Sequence, residues 1–414
     1  MPARMRRRAP LWLIGLTAST FGMYGGLIAV ATPQLLAAEH VPVATIAAIT
    51  AVIASPSFWA FPFSPILDVR FTRRWYSVAT AIAASVLLVA ALFNLKHLLV
   101  FELLLTAGFL CATLYLSALG GWLASIVRTE EEKQLSVWVN IGNISAGGAM
   151  ATVAIELLQA FSLEVAAVIL GILIVAPTLV FPWMPAPAAD ISGARGSFDQ
   201  FLQDLAILLR RRDVLLTLLL FIAPVATFSL TNFLAGVGQD FHASAGFVGV
   251  VGGGGVLLGG ACGCLVFPMI HRLLPPRSLY LSIGIVGSLF TLGLILIPHT
   301  PLAFAIALIG QNVFQALAFT ASTAIQFDAI GRHNPLSATA WCLMISAYNV
   351  PISYMLFVDG SGYSWRGITG SYLVDGAVSL VTCLLLATAL LLYKRRASER
   401  SGLQTSGVPG LSQG

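Results

Sequence analysis

Long apolar runs, separated by short polar and basic segments, dominate the chain. The stretches 78–95, 280–297 and 372–393 carry at most one charged residue each, and each approaches the roughly 20 residues that a helix needs to cross a membrane. Backbone polar groups in lipid must bond internally, so runs of this kind predict spanning helices. The pattern predicts twelve spans, at approximately 11–36, 43–66, 78–95, 98–124, 135–158, 163–184, 214–235, 245–270, 279–297, 301–324, 336–357 and 370–393.

The composition also favours a membrane protein over a soluble one. Hydrophobic residues make up 58% of the 414 residues and charged residues 9%, whereas soluble domains carry roughly 25% charged residues. The N-terminus is basic and precedes an apolar run, as in a secretion signal, but the run over 11–36 is too long for a signal core and is interpreted as the first span. The five cysteines fall in apolar runs, and the spacing of Cys262 and Cys264 on a helix argues against a metal pair.

Basic residues are distributed unevenly between the two sides of the membrane. With twelve spans both termini lie on one side, and 20 of the 22 Lys and Arg residues belong to that side. Only Lys96 and Arg366 belong to the other. The positive-inside rule therefore predicts a cytoplasmic (inner) membrane protein with both termini in the cytoplasm. The net charge of +5 follows from this topology and indicates no nucleic-acid partner.

The chain has the organisation of two related halves. The segment 73–76 corresponds to 276–280, and Leu135-Ser136 corresponds to Leu336-Ser337, at an offset of about 200 residues. We expect an N-terminal six-helix bundle (1–184), a linker (185–213), a C-terminal six-helix bundle (214–393) and a cytoplasmic tail (394–414). Within the linker one helical stripe predicts an amphipathic helix at the membrane surface; its residues are Phe198, Phe201, Leu202, Leu205, Leu208 and Leu209. This is the all-α arrangement of a major facilitator protein, whose solute site lies between the halves.

Two segments resemble one branch of that superfamily. The segment 56–68, PSFWAFPFSPILD, resembles the end of the second helix in AmpG-type muropeptide permeases and the related acetyl-CoA transporters, through Pro56, Phe61, Pro65 and Asp68. The segment 337–346, SATAWCLMIS, resembles the eleventh-helix signature of the same branch. The resemblance implies a facilitator fold and transport of cell-wall muropeptides. Two departures, at positions 60 and 340, replace the branch's lysine and glutamine with alanine. The change at position 60 removes a cation that would serve an anionic cargo or proton coupling.

Residues after the second span resemble the general facilitator motif of that loop. Asp68 is followed by Arg70, Arg73 and Arg74, with Ser64 in place of the motif's glycine. The resemblance implies a charge network that holds the two halves together in one state and breaks in the other. The alternative is a solvated basic loop that only follows the positive-inside rule.

Uncharged polar side chains within the spans are the candidates for a solute cavity. Amides, hydroxyls and aromatic rings at these positions suit a neutral polar or sugar-like solute, because amides in lipid need partners or water. Hydrogen bonding between helices, with no ligand, is the alternative for each of them. The candidates are Thr20, Tyr24, Trp138, Asn140, Asn143, Asn232, Gln311, Gln315, Trp341, Tyr348 and Asn349.

Few acidic residues lie within the spans, and these are the candidates for proton coupling. Glu102, Glu156 and Asp375 are all expected near the outer interface, where intramembrane carboxyls carry function or are solvated. No clustered His, Asp and Glu indicate a membrane enzyme, and no cofactor or metal is expected. The sequence thus favours a monomeric secondary transporter of a small polar solute, with a co-transported proton as a further partner. An exporter of amphipathic compounds and a non-transporting receptor or assembly factor on the same fold remain alternatives.

Overall fold

The computed structural model describes residues 9–186, 203, 206–332 and 334–405, and every regular element within these ranges is helical. We number the helices α1 to α12 and include short breaks within them. Their bounds are 11–38 (α1), 43–68 (α2), Arg73–Phe93 (α3), Leu98–Ile126 (α4), Glu132–Ala160 (α5), Leu163–Trp183 (α6), 212–241 (α7), 245–270 (α8), Pro276–Leu296 (α9), Pro301–Ile330 (α10), 337–365 (α11) and 368–405 (α12).

The twelve predicted spans each correspond to a helix once the breaks are taken into account. Among the described residues nine segments are by themselves long and apolar enough to cross a membrane, and α2 qualifies as a bent pair with a 50° angle after Trp59. One of the nine segments, Ser337–Leu392, is long enough to contain two spans. Within it, Ser371 Oγ donates to the Asp359 carbonyl oxygen at 2.8 Å. Twelve residues of straight helix would separate these groups by about 18 Å. The chain therefore reverses at Arg366 and Gly367, where the backbone is non-helical.

The bounds of α11 correct one prediction. The sequence placed the end of the eleventh span at residue 357, whereas α11 continues to the reversal at 366. The additional turns bring Asp359 into the helix. The predicted amphipathic helix of the linker cannot be compared in the same way, since Phe198, Phe201, Leu202 and Leu205 lie outside the described residues. Of its remaining members Leu208 is buried and Leu209 is exposed.

Among the described residues, buried apolar side chains form a large core and a small cluster that both halves share, and two cores that belong to one half each. The shared core joins Trp122 of α4 to Phe327 of α10 and Trp341 of α11. It lies at the end of the bundle that carries Arg73, Arg211 and Arg277, which we call the basic end. Towards the opposite end one core contains only residues 24–174, and another contains only residues 230–372. The two halves are therefore packed together most extensively at the basic end.

Helices α1 and α5 approach each other through glycines. A Cβ atom on Gly22 would collide with the backbone of Asn143, and one on Gly26 would collide with the backbone of Gly147. Small residues let membrane helices come into backbone contact, where van der Waals packing replaces the hydrophobic effect. Asn143 belongs to a π-helical turn of α5, Ile141–Ser145, a type of irregularity that is frequent at functional sites.

We expect Gly22→Ala to destabilise the protein by about 1–3 kcal/mol, because the added methyl group must displace the α5 backbone. Gly25→Ala is a matched control three residues along the same helix, where an added Cβ meets nothing within 4 Å. This control should be neutral or stabilising by about 0.5–1 kcal/mol. Melting temperatures of the purified proteins in detergent would test both. Equal melting temperatures for the two variants would contradict the close α1–α5 packing.

Candidate functional site

Asp68, at the end of α2, is bound to the beginning of α11. Asp68 is buried, with 4% of its surface exposed. Its carboxylate accepts hydrogen bonds from the Ala338 amide at 3.2 Å and the Thr339 amide at 2.8 Å. The Thr339 hydroxyl donates a third at 2.7 Å. The first amides of a helix have no partner within the helix, and a negative charge is favoured beside them. A carboxylate from the first half of the chain thus caps a helix of the second half.

Arg73 completes this contact from the first turn of α3. Its guanidinium is buried, and its Nε donates to Asp68 Oδ1 at 2.9 Å. Its Nη2 donates to the Pro335 carbonyl oxygen at 2.9 Å, just before α11 begins. Hydrogen bonds between ionised partners are shorter and stronger than those between neutral groups. We call Asp68, Arg73 and the first turn of α11 the Asp68 contact.

The local sequence explains why Asp68 points at α11. Residues Phe61–Asp68 form a 3-10 helix that contains Pro62 and Pro65, and this segment is bent away from the first part of α2. The chain then turns at Arg70, whose φ of 71° is in the left-handed region that non-glycine residues rarely adopt. Tyr76 Oη donates to the Val69 carbonyl oxygen at 2.6 Å. This hydrogen bond ties the turn to α3.

The other two arginines of the motif lie outside this contact. Arg70 is exposed, and its guanidinium lies 5.4 Å from the centroid of the Phe71 ring. Arg74 is half-buried. Of the four residues predicted to take part in gating, the structure therefore brings Asp68 and Arg73 together with α11. Their role in gating stays a prediction.

A backbone approach between α4 and α11 accompanies the Asp68 contact. Ser337 Oγ donates to the Gly121 carbonyl oxygen at 3.1 Å. A Cβ atom added to Gly121 would collide with the Ala338 backbone, and one added to Gly120 would collide with the Trp341 indole. The basic end therefore closes through two adjacent glycines of α4 as well as through charges.

A cavity of about 10 Å³, room for about one water molecule, lies next to this closure, between the two halves. It brings together four of the predicted cavity residues: Asn140, Asn143, Trp341 and Tyr348. Asn140 Nδ2 donates across the interface to Thr323 Oγ1 at 2.9 Å. Among the described residues two buried polar atoms that line the cavity, Gln326 Oε1 and Trp341 Nε1, have no hydrogen-bond partner. Two residues of the cavity lining thus each carry a polar group without a partner, an acceptor on Gln326 and a donor on Trp341.

Sequence reasoning missed Thr323 and Gln326, which lie beyond or at the edge of the tenth span as it was predicted. The sequence signal that could have identified them is their polarity near the end of an apolar helix, because polar side chains inside a membrane protein face other helices or water.

The remaining candidates of the first half are engaged in packing. Thr20 Oγ1 donates to the Ile174 carbonyl oxygen at 2.9 Å, and Trp138 is half-buried against Gly15. Tyr24 is fully buried, and its hydroxyl has no partner among the described residues. The hydrogen bond of Thr20 therefore joins two helices and agrees with the alternative interpretation, in which these polar residues bind other helices and no ligand.

The remaining candidates of the second half are spread over α7, α10 and α11. Gln311 Nε2 donates to Thr291 Oγ1 at 2.7 Å, while Gln315 Nε2 donates to Thr231 Oγ1 at 3.0 Å. Asn349 donates to the Ile345 carbonyl oxygen of its own helix at 3.0 Å. Asn232 is exposed. None of these four lines the small cavity described above.

The three acidic candidates differ sharply in their surroundings. Glu156 is exposed and Glu102 is half-buried, whereas Asp375 is only 3% exposed. Asp375 Oδ1 lies 3.2 Å from Ser229 Oγ, and Asp359 Oδ2 lies 2.6 Å from the same hydroxyl. Asp359 was missed because the eleventh span was ended two residues before it. Within the described part of the chain, no group of three or more His, Cys, Asp or Glu is arranged to hold a metal ion.

Comparisons with known proteins agree with this architecture. The human organic anion transporter MFSD10 superposes with a TM-score of 0.69 at 14% identity, covering 91% of this chain and 98% of that one. The proton:xylose symporter XylE superposes with a TM-score of 0.64 at 11% identity, over 91% and 95% of the two chains. The E. coli fucose:proton symporter FucP gives a TM-score of 0.64 at 15% identity, over 92% and 98%.

Sequence comparison identifies the family. No curated protein shows significant similarity to the chain in sequence. The model of the Major Facilitator Superfamily, by contrast, matches residues 12–347, which is well over half of the chain. The chain belongs to the major facilitator superfamily of membrane transporters.

Proposed function

We propose that the protein moves a small polar solute by alternating access, as a secondary transporter. The Asp68 contact carries this proposal. A buried carboxylate that caps a helix of the other half is a contact that exists only while the basic end is closed. The cores support the same reading, because the shared ones lie at the basic end, whereas each core towards the other end belongs to one half. The structure then represents the state that is closed at the basic end.

The proposal includes an orientation and a division of the chain. The protein lies in the cytoplasmic (inner) membrane with its basic end facing the cytoplasm, as the distribution of Lys and Arg predicts. The bundles 1–184 and 214–393 rock against each other as a monomer, joined by the linker 185–213, with 394–414 as a cytoplasmic tail. In this orientation solute enters from the outside in the state described here.

The lining of the cavity favours an uncharged polar solute, for which the cavity, at about 10 Å³ in this state, has to widen. Asn140, Asn143 and Tyr348 supply amides and a hydroxyl to the cavity, and the unused groups of Gln326 and Trp341 supply an acceptor and a donor. The segments 56–68 and 337–346, which touch each other in the Asp68 contact, resemble the AmpG branch, and this resemblance is the support for an anhydro-sugar peptide as one form of cargo. Position 60, where that branch has lysine, holds a fully buried alanine, so we favour the sugar part of such a cargo over an anionic group.

The solute proposal is tested by binding. Thermal-shift and uptake measurements on the purified protein should show binding of simple sugars or anhydro-muropeptides and none of acetyl-CoA. Binding of amphipathic cations alone would instead favour the exporter alternative. Absence of binding and transport with all of these compounds would contradict the proposed function.

Trp341→Phe should weaken binding of such a solute about tenfold, because the indole N–H of the cavity is lost while the ring is kept. The phenyl ring retains the contact with Phe327, whose ring centroid lies 4.9 Å from that of Trp341. Trp365→Phe is the matched control, since Trp365 is 59% exposed at the far end of α11. Dissociation constants from isothermal titration would compare the two. Unchanged affinity in Trp341→Phe would show that the Trp341 indole N–H does not bind the solute.

Proton coupling is a further part of the proposal, with Asp375, Glu156 and Glu102 as the candidate groups. Acidic side chains at membrane depth are expensive unless they are paired or functional. Asp375 differs from the other two because it is buried and shares the Ser229 hydroxyl with Asp359.

A further inference from the structure

Helix α7 is broken in the middle of the bundle. The α-helix that begins at Arg212 ends at Ile222, and a new helical turn begins at Leu230. Ala226 and Phe228, which lie between them, have φ values of 52° and 48°, a left-handed conformation that costs about 1–3 kcal/mol at each non-glycine residue. A broken membrane helix persists only where its freed polar groups find other partners.

Neighbouring helices supply those partners. Tyr280 Oη of α9 donates to the Val225 carbonyl oxygen at 3.0 Å, and Gln315 Nε2 of α10 lies 3.4 Å from the Phe228 carbonyl oxygen. Ser229, at the end of the break, faces Asp359 of α11 and Asp375 of α12. The break is therefore held from four helices, and two of those contacts depend on carboxyl groups.

The Ser229 hydroxyl has only one proton to donate. Its oxygen lies 2.6 Å from Asp359 Oδ2 and 3.2 Å from Asp375 Oδ1, so two ionised carboxylates would leave one of these contacts without a hydrogen atom. A proton on either carboxyl completes both contacts, since a protonated carboxyl group can donate to the hydroxyl oxygen. Asp359 Oδ1 is buried with no partner among the described residues, so no donor there compensates a negative charge on this carboxyl group.

No hydrogen bond or ion pair joins a basic side chain to either carboxyl group within the part of the chain that the structure describes. The titratable groups of the packed helices towards the middle of the bundle are uncharged phenols and thiols, namely Tyr280 of α9, Tyr348 and Tyr354 of α11, and Tyr372 and Cys383 of α12. Arg212, Asp213 and Arg277 lie at the basic end, where Arg277 pairs with Asp213, and Asp240 and Tyr363 lie towards the opposite end. The basic residue nearest along the chain is Arg366 at the reversal after α11, and its guanidinium lies 4.3 Å from the centroid of the Trp365 ring. Two unpaired negative charges at this depth would cost several kcal/mol.

We propose that Asp359 and Asp375 form a proton-binding pair that, through Ser229, ties the break of α7 to α11 and α12. The pair holds one proton in the state described here. Release of that proton leaves two like charges facing one hydroxyl group, which weakens the hold on α7 and favours its movement. If the chain transports solute as proposed above, this pair is the group that couples transport to protons, in preference to Glu102 and Glu156.

The test detects the proton directly and does not require a solute. Infrared difference spectra of the reconstituted full-length protein, titrated with acid and base in H₂O and D₂O, should contain a carboxylic-acid C=O band. We expect Asp359→Asn and Asp375→Asn each to remove or shift this band, and Ser229→Ala to shift it through the lost hydrogen bond. Glu156→Gln, Glu102→Gln and Asp240→Asn are the carboxyl controls and should leave it unchanged.

Three outcomes would overturn the proposal. The first is an identical band in wild type and all three pair variants. The second is loss of the band in Glu156→Gln or Glu102→Gln instead. The third is stabilisation of wild type, but not of the pair variants, by NaCl relative to KCl at constant pH, which would identify a sodium site. If an Asp→Asn variant fails to fold, the Ser229→Ala shift decides. The proposed function can fail independently, when the band behaves as expected but no solute is bound or moved.

Discussion

Asp68→Asn should shift the protein from the state closed at the basic end to the open state and lower transport by at least tenfold. The variant keeps the size of the side chain but removes the charge that faces Arg73 and two helix amides. Removing one partner of a buried ion pair costs about 3–5 kcal/mol, and about 3 kcal/mol corresponds to a change of roughly 100-fold in a two-state equilibrium. A carrier that rarely closes at this end completes few cycles.

The chain contains its own reporter for this change. The thiol of Cys342 is fully buried in α11 and lies against Ser64 of α2 and Ser117 of α4. Separation of the halves at the basic end would expose it to a water-soluble maleimide. The other four cysteines (Cys111, Cys262, Cys264 and Cys383) would be replaced first. Labelling of Cys342 should then be at least tenfold faster in Asp68→Asn than in wild type if the equilibrium shifts as estimated.

A matched control is available at the same end of the molecule. Asp213 pairs with Arg277 at 3.2 Å, but its side chain is 65% exposed, and exposed ion pairs contribute about 0–1 kcal/mol. Asp213→Asn should therefore leave both Cys342 labelling and transport close to wild type. If Asp68→Asn and Asp213→Asn behave alike, the Asp68 contact does not control access.

The sequence predicted one side of the Asp68 contact and could not predict the other. Asp68 and Arg73 belong to a recognisable motif, and their charge in an apolar chain made them candidates. Their partners in α11 are mainly backbone groups, the Ala338 and Thr339 amides and the Pro335 carbonyl oxygen. Every residue but proline has such an amide, so no residue type marks it; only the three-dimensional position of a helix end does.

The acidic pair shows a different limit. Asp375 was a candidate because it is a carboxyl within a span, but Asp359 was assigned to a loop when a span of ordinary length was ended at residue 357. The chain reversal falls at Arg366 and Gly367 instead, and Gly367, with a φ of 61°, was the one local signal for it. The break of α7 had a clearer signal in Pro224, since proline removes a helical hydrogen bond.

Gly121→Ala should also prevent closure of the basic end, without any change of charge. The methyl group would overlap the backbone of Ala338, so α4 and α11 would have to separate there, together with the Ser337–Gly121 hydrogen bond at 3.1 Å. A rigid backbone cannot move aside as a flexible side chain can, and overpacking of this kind costs about 1–3 kcal/mol. We expect transport to fall about tenfold or more and Cys342 labelling to accelerate, while the melting temperature changes little because each half keeps its own packing.

Gly249→Ala is the control for the same chemical change, because an added Cβ on Gly249 of α8 meets nothing within 4 Å. It should leave labelling and transport at the wild-type level. Combining Gly121→Ala with Asp68→Asn separates two explanations. If both act by opening the same end, the double variant should label little faster than the faster single variant, because the open state is already dominant. Slow, wild-type-like labelling of Cys342 in Gly121→Ala would show that α4 and α11 can part locally without opening the basic end, and the closure would then rest on Asp68 and Arg73 alone.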